Sequence, residues 1–193
     1  MVRRGARGTG TTLFEDANGC PDPDNDRDTV LDVVDDCPLD PGAPDNRGCP
    51  RAVQVDRDRG EIIILQRVEF ETNKDVILDR SLPVLEEVRA VLEANPTIVR
   101  LRIEGHTDDR GRDTRNMDLS RRRAASVVRW LVDHGIAAGR LEAWGCGEAL
   151  PRTGNDTNAG RQSNRRVEFY IIDPAPDSGA RNPEGCQRSD RSE

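Results

Sequence analysis

Aromatic side chains make up only 3% of this 193-residue sequence, so its core has to rest on Val, Leu, Ile and Ala. No apolar run approaches the roughly 20 residues that cross a bilayer as a helix. Residues 1–15 carry arginines but no apolar h-region, which is not the pattern of a signal peptide. A basic surplus is also lacking. Residues 20–50 hold nine aspartates (22, 24, 26, 28, 32, 35, 36, 40 and 45) against Arg27 and Arg47, an excess of seven that equals the whole net charge of −7. The remainder balances at 27 residues of each sign, so nothing would drive counterion release and no nucleic acid is expected as a partner. Histidine is scarce, with His106 and His134 alone, and no Ser-His-Asp or paired-carboxylate arrangement stands out. The sequence reads as a binding protein, not an enzyme.

What is present falls into four segments. Residues 1–19 are rich in Gly, Arg and Thr and are expected to be disordered. Residues 20–50 form an Asp/Pro/Cys module in which Cys20, Cys37 and Cys49 each precede a proline, in the style of a stapled extracellular module. That favours a fragment of a longer exported protein over a cytosolic one. Residues 53–173 carry regular apolar periodicity, and the Pro/Gly/Ser-rich tail, 174–193, is again expected to be disordered. Cys146 is read as a structural thiol, since only two histidines exist to activate it as a nucleophile; Cys186 is one partner open to it, and sequence alone does not fix the pairing. Five cysteines leave at least one thiol free or paired with another chain.

Within 53–173, Glu61–Phe70 reads as a strand from its β-branched run. A helix is expected over Leu82–Ala94, with Ser81 as N-cap, Pro83 in the first turn and Asn95-Pro96 as the stop. Ile98–Gly105 alternates apolar and charged residues, the pattern of a strand with one wet face. A second helix follows from about Asn116 to His134, ended by Gly135. Leu141–Trp144 and Arg166–Ile172 are the last strands. The order β-α-β-α-β-β predicts an α+β two-layer sandwich, with both helices on one face of a mixed sheet.

One stretch carries chemistry. Asp108 follows a strand end where a loop leads into a helix, a place that favours ligand-facing groups. On that helix, Ala124, Val127, Val128 and Leu131 define the buried stripe at about 100° per residue. Arg122 then points to solvent, Arg121 flanks one edge of the stripe, and Asn116 and Arg123 flank the other. A carboxylate and a guanidinium facing one cleft suit a zwitterion, Asp108 for an ammonium and Arg123 as a fork for a carboxylate. On spacing alone, an ordinary ion pair and a solvated helix face account for the same residues.

The blocks GHTDDRG (105–111), NMDLSRRRAASVVRWLVDHGI (116–136) and GRQSNRRVEF (160–169) resemble, in order, the signature of OmpA-like (OmpA/MotB C-terminal) domains, over about residues 60–173. The resemblance implies non-covalent binding of peptidoglycan through the diaminopimelate, or its equivalent, of the stem peptide. It implies that Asp108 and Arg123 hold that zwitterion, that Asn73 and Asn116 add polar contacts, and that Thr107, Leu119 and Arg166 line or shape the groove. It also implies anchoring of an outer-membrane or periplasmic protein to the wall, at the periplasmic face of the outer membrane, with membrane association supplied by an upstream segment. The rival readings are a structural or adhesive calcium-linker protein whose domain is inert, and a peptidoglycan hydrolase.

The acidic module is the second signal. Asp24, Asp26, Asp28, Asp32 and Asp35 offer hard oxygen ligands at alternating positions, and such crowded carboxylates repel unless a cation neutralises them. With the Cys-Pro punctuation, the pattern is similar to thrombospondin type 3 repeats, which implies calcium as ligand and a linker that stiffens when loaded. Thr29 stands where that repeat usually has Gly.

Overall fold

The computed structural model describes residues 24–25, 29–35, 48, 53–56, 59–176 and 183–189. The chain divides into two compact units, Met1–Cys49 and Pro50–Glu193. The expected segment 1–19 lies outside the described residues, as do Asp26, Asp28, Cys20, Cys37 and Cys49.

In the first unit, the carbonyl of Leu31 accepts the N–H groups of Val34 at 2.8 Å and Asp35 at 3.0 Å, closing a turn. Thr29 adopts φ +77°, the left-handed conformation that glycine takes most readily. Its N–H donates to the Asp24 carboxylate at 3.1 Å, and the Asp32 carboxylate accepts the Asn25 N–H at 3.0 Å.

The second unit consists of β1 (Val53–Asp56), β2 (Glu61–Ile64), α1 (Leu82–Ala94), β3 (Arg100–His106), α2 (Asp113–Asp133), β4 (Leu141–Gly147), α3 (Asn158–Asn164), β5 (Val167–Asp173) and β6 (Gln187–Arg188). They form a mixed sheet in the order β1-β2-β5-β3-β4-β6, in which β3 and β4 run parallel and the other neighbours antiparallel. This is the expected α+β architecture, with three elements more. β1 is four residues long and exists through its pairing with β2. The segment Glu61–Phe70 is a strand only to Ile64, and Phe70 makes an isolated bridge to Ile77. The tail expected to be disordered is in part ordered, because the Cys146–Cys186 disulfide ties residues 183–189 down and lets β6 pair with β4.

Helix α1 has the bounds its sequence predicts, but Ser81 does not cap it: its hydroxyl accepts the N–H of Glu69 at 2.8 Å instead. Val84, Leu85, Val88, Val91 and Leu92 of α1 meet Ala124, Val127 and Leu131 of α2 over Leu101, Ile103, Leu141, Phe169 and Ile171 of the sheet. Truncating a fully enclosed side chain such as Phe169 to alanine costs about 3–5 kcal/mol.

The charged face of β3 is not wet. Arg102, Glu104 and His106 are all buried, between the neighbouring strands β4 and β5. Their charges close on one another: Arg102 Nε lies 2.7 Å from Glu104 and His106 Nε2 lies 3.1 Å from Glu168. Arg166 Nε donates to Glu168 at 2.7 Å, and Arg102 sits between the rings of Trp144 and Tyr170, 5.7 Å from each centroid. Charges paired in this way can be sequestered where isolated ones cannot.

Candidate functional site

Glycine places the site. A Cβ on Gly145 of β4 would stand 2.5 Å from the backbone nitrogen of Arg121, so α2 rests directly on the sheet there. Ser120 locks the contact by accepting the N–H of Gly147 at 2.9 Å and donating to the Met117 carbonyl at 2.8 Å. The first half of α2 is thereby held against the loop that leaves β3. Thr107 continues the ladder, donating its N–H to the Gly147 carbonyl at 2.8 Å.

A cleft of about 410 Å³ opens at this junction. Six of the seven residues expected at the ligand line it: Asn73, Thr107, Asp108, Asn116, Leu119 and Arg123. Asp108 is only 8% exposed. One of its carboxylate oxygens accepts the Arg110 N–H at 3.2 Å, and the other pairs with the guanidinium of Arg165. Asn116 joins two loops, its amide donating to the Asp108 carbonyl at 3.2 Å and to the Glu148 carboxylate at 2.6 Å. Asn73 takes φ +58° in the turn opposite, a conformation that asparagine tolerates better than most residues.

Arg123 crosses the cleft floor, its Nε donating to the Lys74 carbonyl at 3.0 Å and its guanidinium 4.9 Å from the Phe70 ring centroid. Burial pushes its pKa down, helped by the neighbouring charges of Arg122 and Arg165 and opposed by Asp75 and Asp108. An anion in the cleft would offset that repulsion. The other two arginines of the run behave as helical phasing predicts. Arg122 pairs at the surface with Asp75 at 2.6 Å and Asp118 at 3.0 Å, while Arg121 lies over Gly145.

Arg166 is the exception. It turns away to Glu168 and to the Leu150 carbonyl at 3.2 Å, and the adjacent Arg165 enters the cleft in its place. Successive residues of an extended chain point to opposite sides, so a shift of one exchanges the two guanidiniums. Phe70, Thr72 and Arg165 were missed as lining residues, and only Arg165 carried a signal, as the neighbour of a residue already singled out; Arg110, within the GHTDDRG block, lines the cleft as well. Glu104, His106 and Glu168 bring ligand atoms within 4.8 Å of one another. Arg102 and Arg166 already neutralise those carboxylates, which makes the cluster an ion-pair network and a poor cation site.

Residues 69–165 match the OmpA family. The chain belongs to that family. It is 37% identical over 151 residues to outer membrane porin F of Pseudomonas aeruginosa, covering 77% of this chain and 41% of that protein, so it spans about two fifths of that relative's length. Among solved structures, it resembles the peptidoglycan-associated lipoprotein of Burkholderia pseudomallei (27% identity, 54% of this chain and 89% of that one, TM-score 0.50). It also resembles the cell wall anchor of the T6SS from Pseudomonas aeruginosa (29% identity, 63% and 87%, TM-score 0.54).

Proposed function

We propose that this OmpA domain grips peptidoglycan non-covalently and anchors a cell-envelope protein to the wall. The cleft takes the zwitterionic end of the stem-peptide diaminopimelate, or the residue in its place. Asp108 receives the ammonium and Arg123 forks onto the carboxylate, while Asn73, Asn116, Thr107 and Leu119 shape the walls. The observation that carries this reading is that a buried carboxylate and a half-buried guanidinium face one cleft. Two of the resembled structures, by their names, associate with peptidoglycan or anchor to the cell wall.

Arg165 sets the exchange. It pairs with Asp108, and the ligand's ammonium takes over that carboxylate. Contacts of this kind are worth about 1–3 kcal/mol each, so single-site dissociation constants fall on the order of micromolar to millimolar. A polymer wall offers many sites near a tethered protein, which makes modest affinity sufficient. The tether to the outer membrane is a segment upstream of the domain, in keeping with the greater length of porin F.

The test is co-sedimentation with purified sacculi. Asp108→Ala and Arg123→Ala are each expected to reduce it about tenfold or more. Unchanged pull-down by both would leave the domain an inert structural part and sink the reading.

We further infer that the first unit takes calcium through Asp24, Asp32 and Asp35, with Asp26 and Asp28 completing the set. The supporting observation is the tight loop made by Thr29 at φ +77° as it donates to Asp24. Calcium is expected to protect the segment 20–50 from proteolysis, and identical digestion with and without chelator would refute it.

A further inference from the structure

Beside the cleft lies a second chamber of about 200 Å³ that shares Phe70, Arg123 and Arg165 with it and is completed by Arg67 and Gln162. Three guanidiniums therefore line one small space. Glu69 is the one carboxylate on its wall, and it pairs with Arg80. Arg165 pairs with Asp108 on the far side of the shared wall. Arg67 is exposed and donates one N–H to the Gln162 carbonyl at 2.9 Å, with no carboxylate partner among the described residues.

We propose that Arg67 and Arg165, beside Arg123, form a second anion subsite that takes a carboxylate of the bound stem peptide lying outside its diaminopimelate zwitterion. The inference rests on the diaminopimelate reading of the main cleft and adds a specificity element to it. Guanidinium groups match carboxylates in a planar, two-bonded fork, and clustered cations repel until an anion lies between them. Burial is the main cause of the lowered pKa of Arg123, and the charges of Arg122 and Arg165 lower it further. The exchange at Asp108 feeds the same subsite. Once the ligand's ammonium occupies Asp108, the Arg165 guanidinium is released at the wall that the two chambers share. A stem peptide offers two further carboxylates, the backbone carboxylate of its γ-linked glutamate and its free C-terminus.

The experiment is calorimetric titration of the full chain with three soluble tetrapeptides that carry the same diaminopimelate. One is unmodified, one is amidated at the glutamate carboxylate, and one is amidated at the C-terminus. The wild type is expected to bind one of the amidated peptides about five- to tenfold more weakly than the unmodified one, and that arm names the carboxylate. Arg67→Gln should lower affinity for the unmodified peptide to the same level and leave the weaker peptide unaffected, while Arg67→Lys retains part of the preference. Arg67 is exposed, and matching thermal unfolding of the variants excludes a folding defect. Binding of all three peptides within twofold, while Asp108→Ala weakens it about tenfold or more, overturns the second subsite and leaves the diaminopimelate reading standing. Binding by Asp108→Ala as tight as that of the wild type, or no binding by the wild type, overturns both.

Discussion

Gly105 of β3 lies so close beneath α2 that a Cβ on it would stand 2.3 Å from the carbonyl oxygen of Ser120. The neighbour is backbone, which cannot swing aside as a side-chain tip can. Gly105→Ala must therefore lift the helix off the sheet, at about 1–3 kcal/mol for overpacking. Because Asn116, Leu119 and Arg123 ride on the same helix, sacculus binding should weaken along with stability. Urea unfolding and co-sedimentation of the one variant check both halves.

Asn116 holds the loop after β3 and the loop after β4 together by bonding to Asp108 and Glu148. Asn116→Ala removes both bonds from a buried site and should cost about 1–3 kcal/mol of stability. Asn116→Asp should cost more at neutral pH, because it sets a second carboxylate beside Glu148. Urea unfolding of both variants at pH 7 measures it, and an Asn116→Asp variant no less stable than Asn116→Ala would refute the contact.

Glu168 carries the clearest acid sensitivity. Burial works against its ionised form, but hydrogen bonding to His106 and Arg166 and their charges outweigh that and hold it well below the usual carboxylate range. A folded-state pKa below the unfolded value near 4.5 means that the stabilisation is present above that pH and drains away as pH falls below it. Glu168→Gln should flatten this acid limb of the stability curve while lowering stability at pH 7. An acid limb as steep in the variant as in the wild type would assign the sensitivity elsewhere.

The Cys146–Cys186 disulfide closes a loop of 40 residues and fastens β6 to the sheet edge. Cys186→Ser should lower stability by about 2–4 kcal/mol and open residues 183–189 to proteolysis. Reductant should likewise open residues 183–189 of the wild type and leave their cleavage in the variant unchanged, read by mass of the fragments.

How much of this could be read without coordinates depended on where the determining interactions lie. Helix α1 carries its own periodicity, Pro83 and the Asn95-Pro96 stop within one short window, so its bounds were legible to the residue. Helix α3, NAGRQSN, has no apolar stripe to read. It is held by the Thr157 cap and by Asn164, whose side chain accepts the N–H groups of Arg152 and Thr153 and donates to the Thr153 carbonyl.

The same division runs through the cleft. Asp108, Asn116 and Arg123 were legible because one loop and one helix of known period connect them, and that local geometry is written in residues 105–123. Phe70 and Arg165 reach the cleft from 38 and 57 residues away from Asp108, so only strand register and the resting of α2 on glycine bring them there. The fate of the charges on β3 was decided in the same way. Alternation alone marks Arg102, Glu104 and His106 as a face different from Leu101 and Ile103. Whether that face meets water or partners depends on Glu168, Tyr170 and Trp144, which only the folded sheet sets beside them.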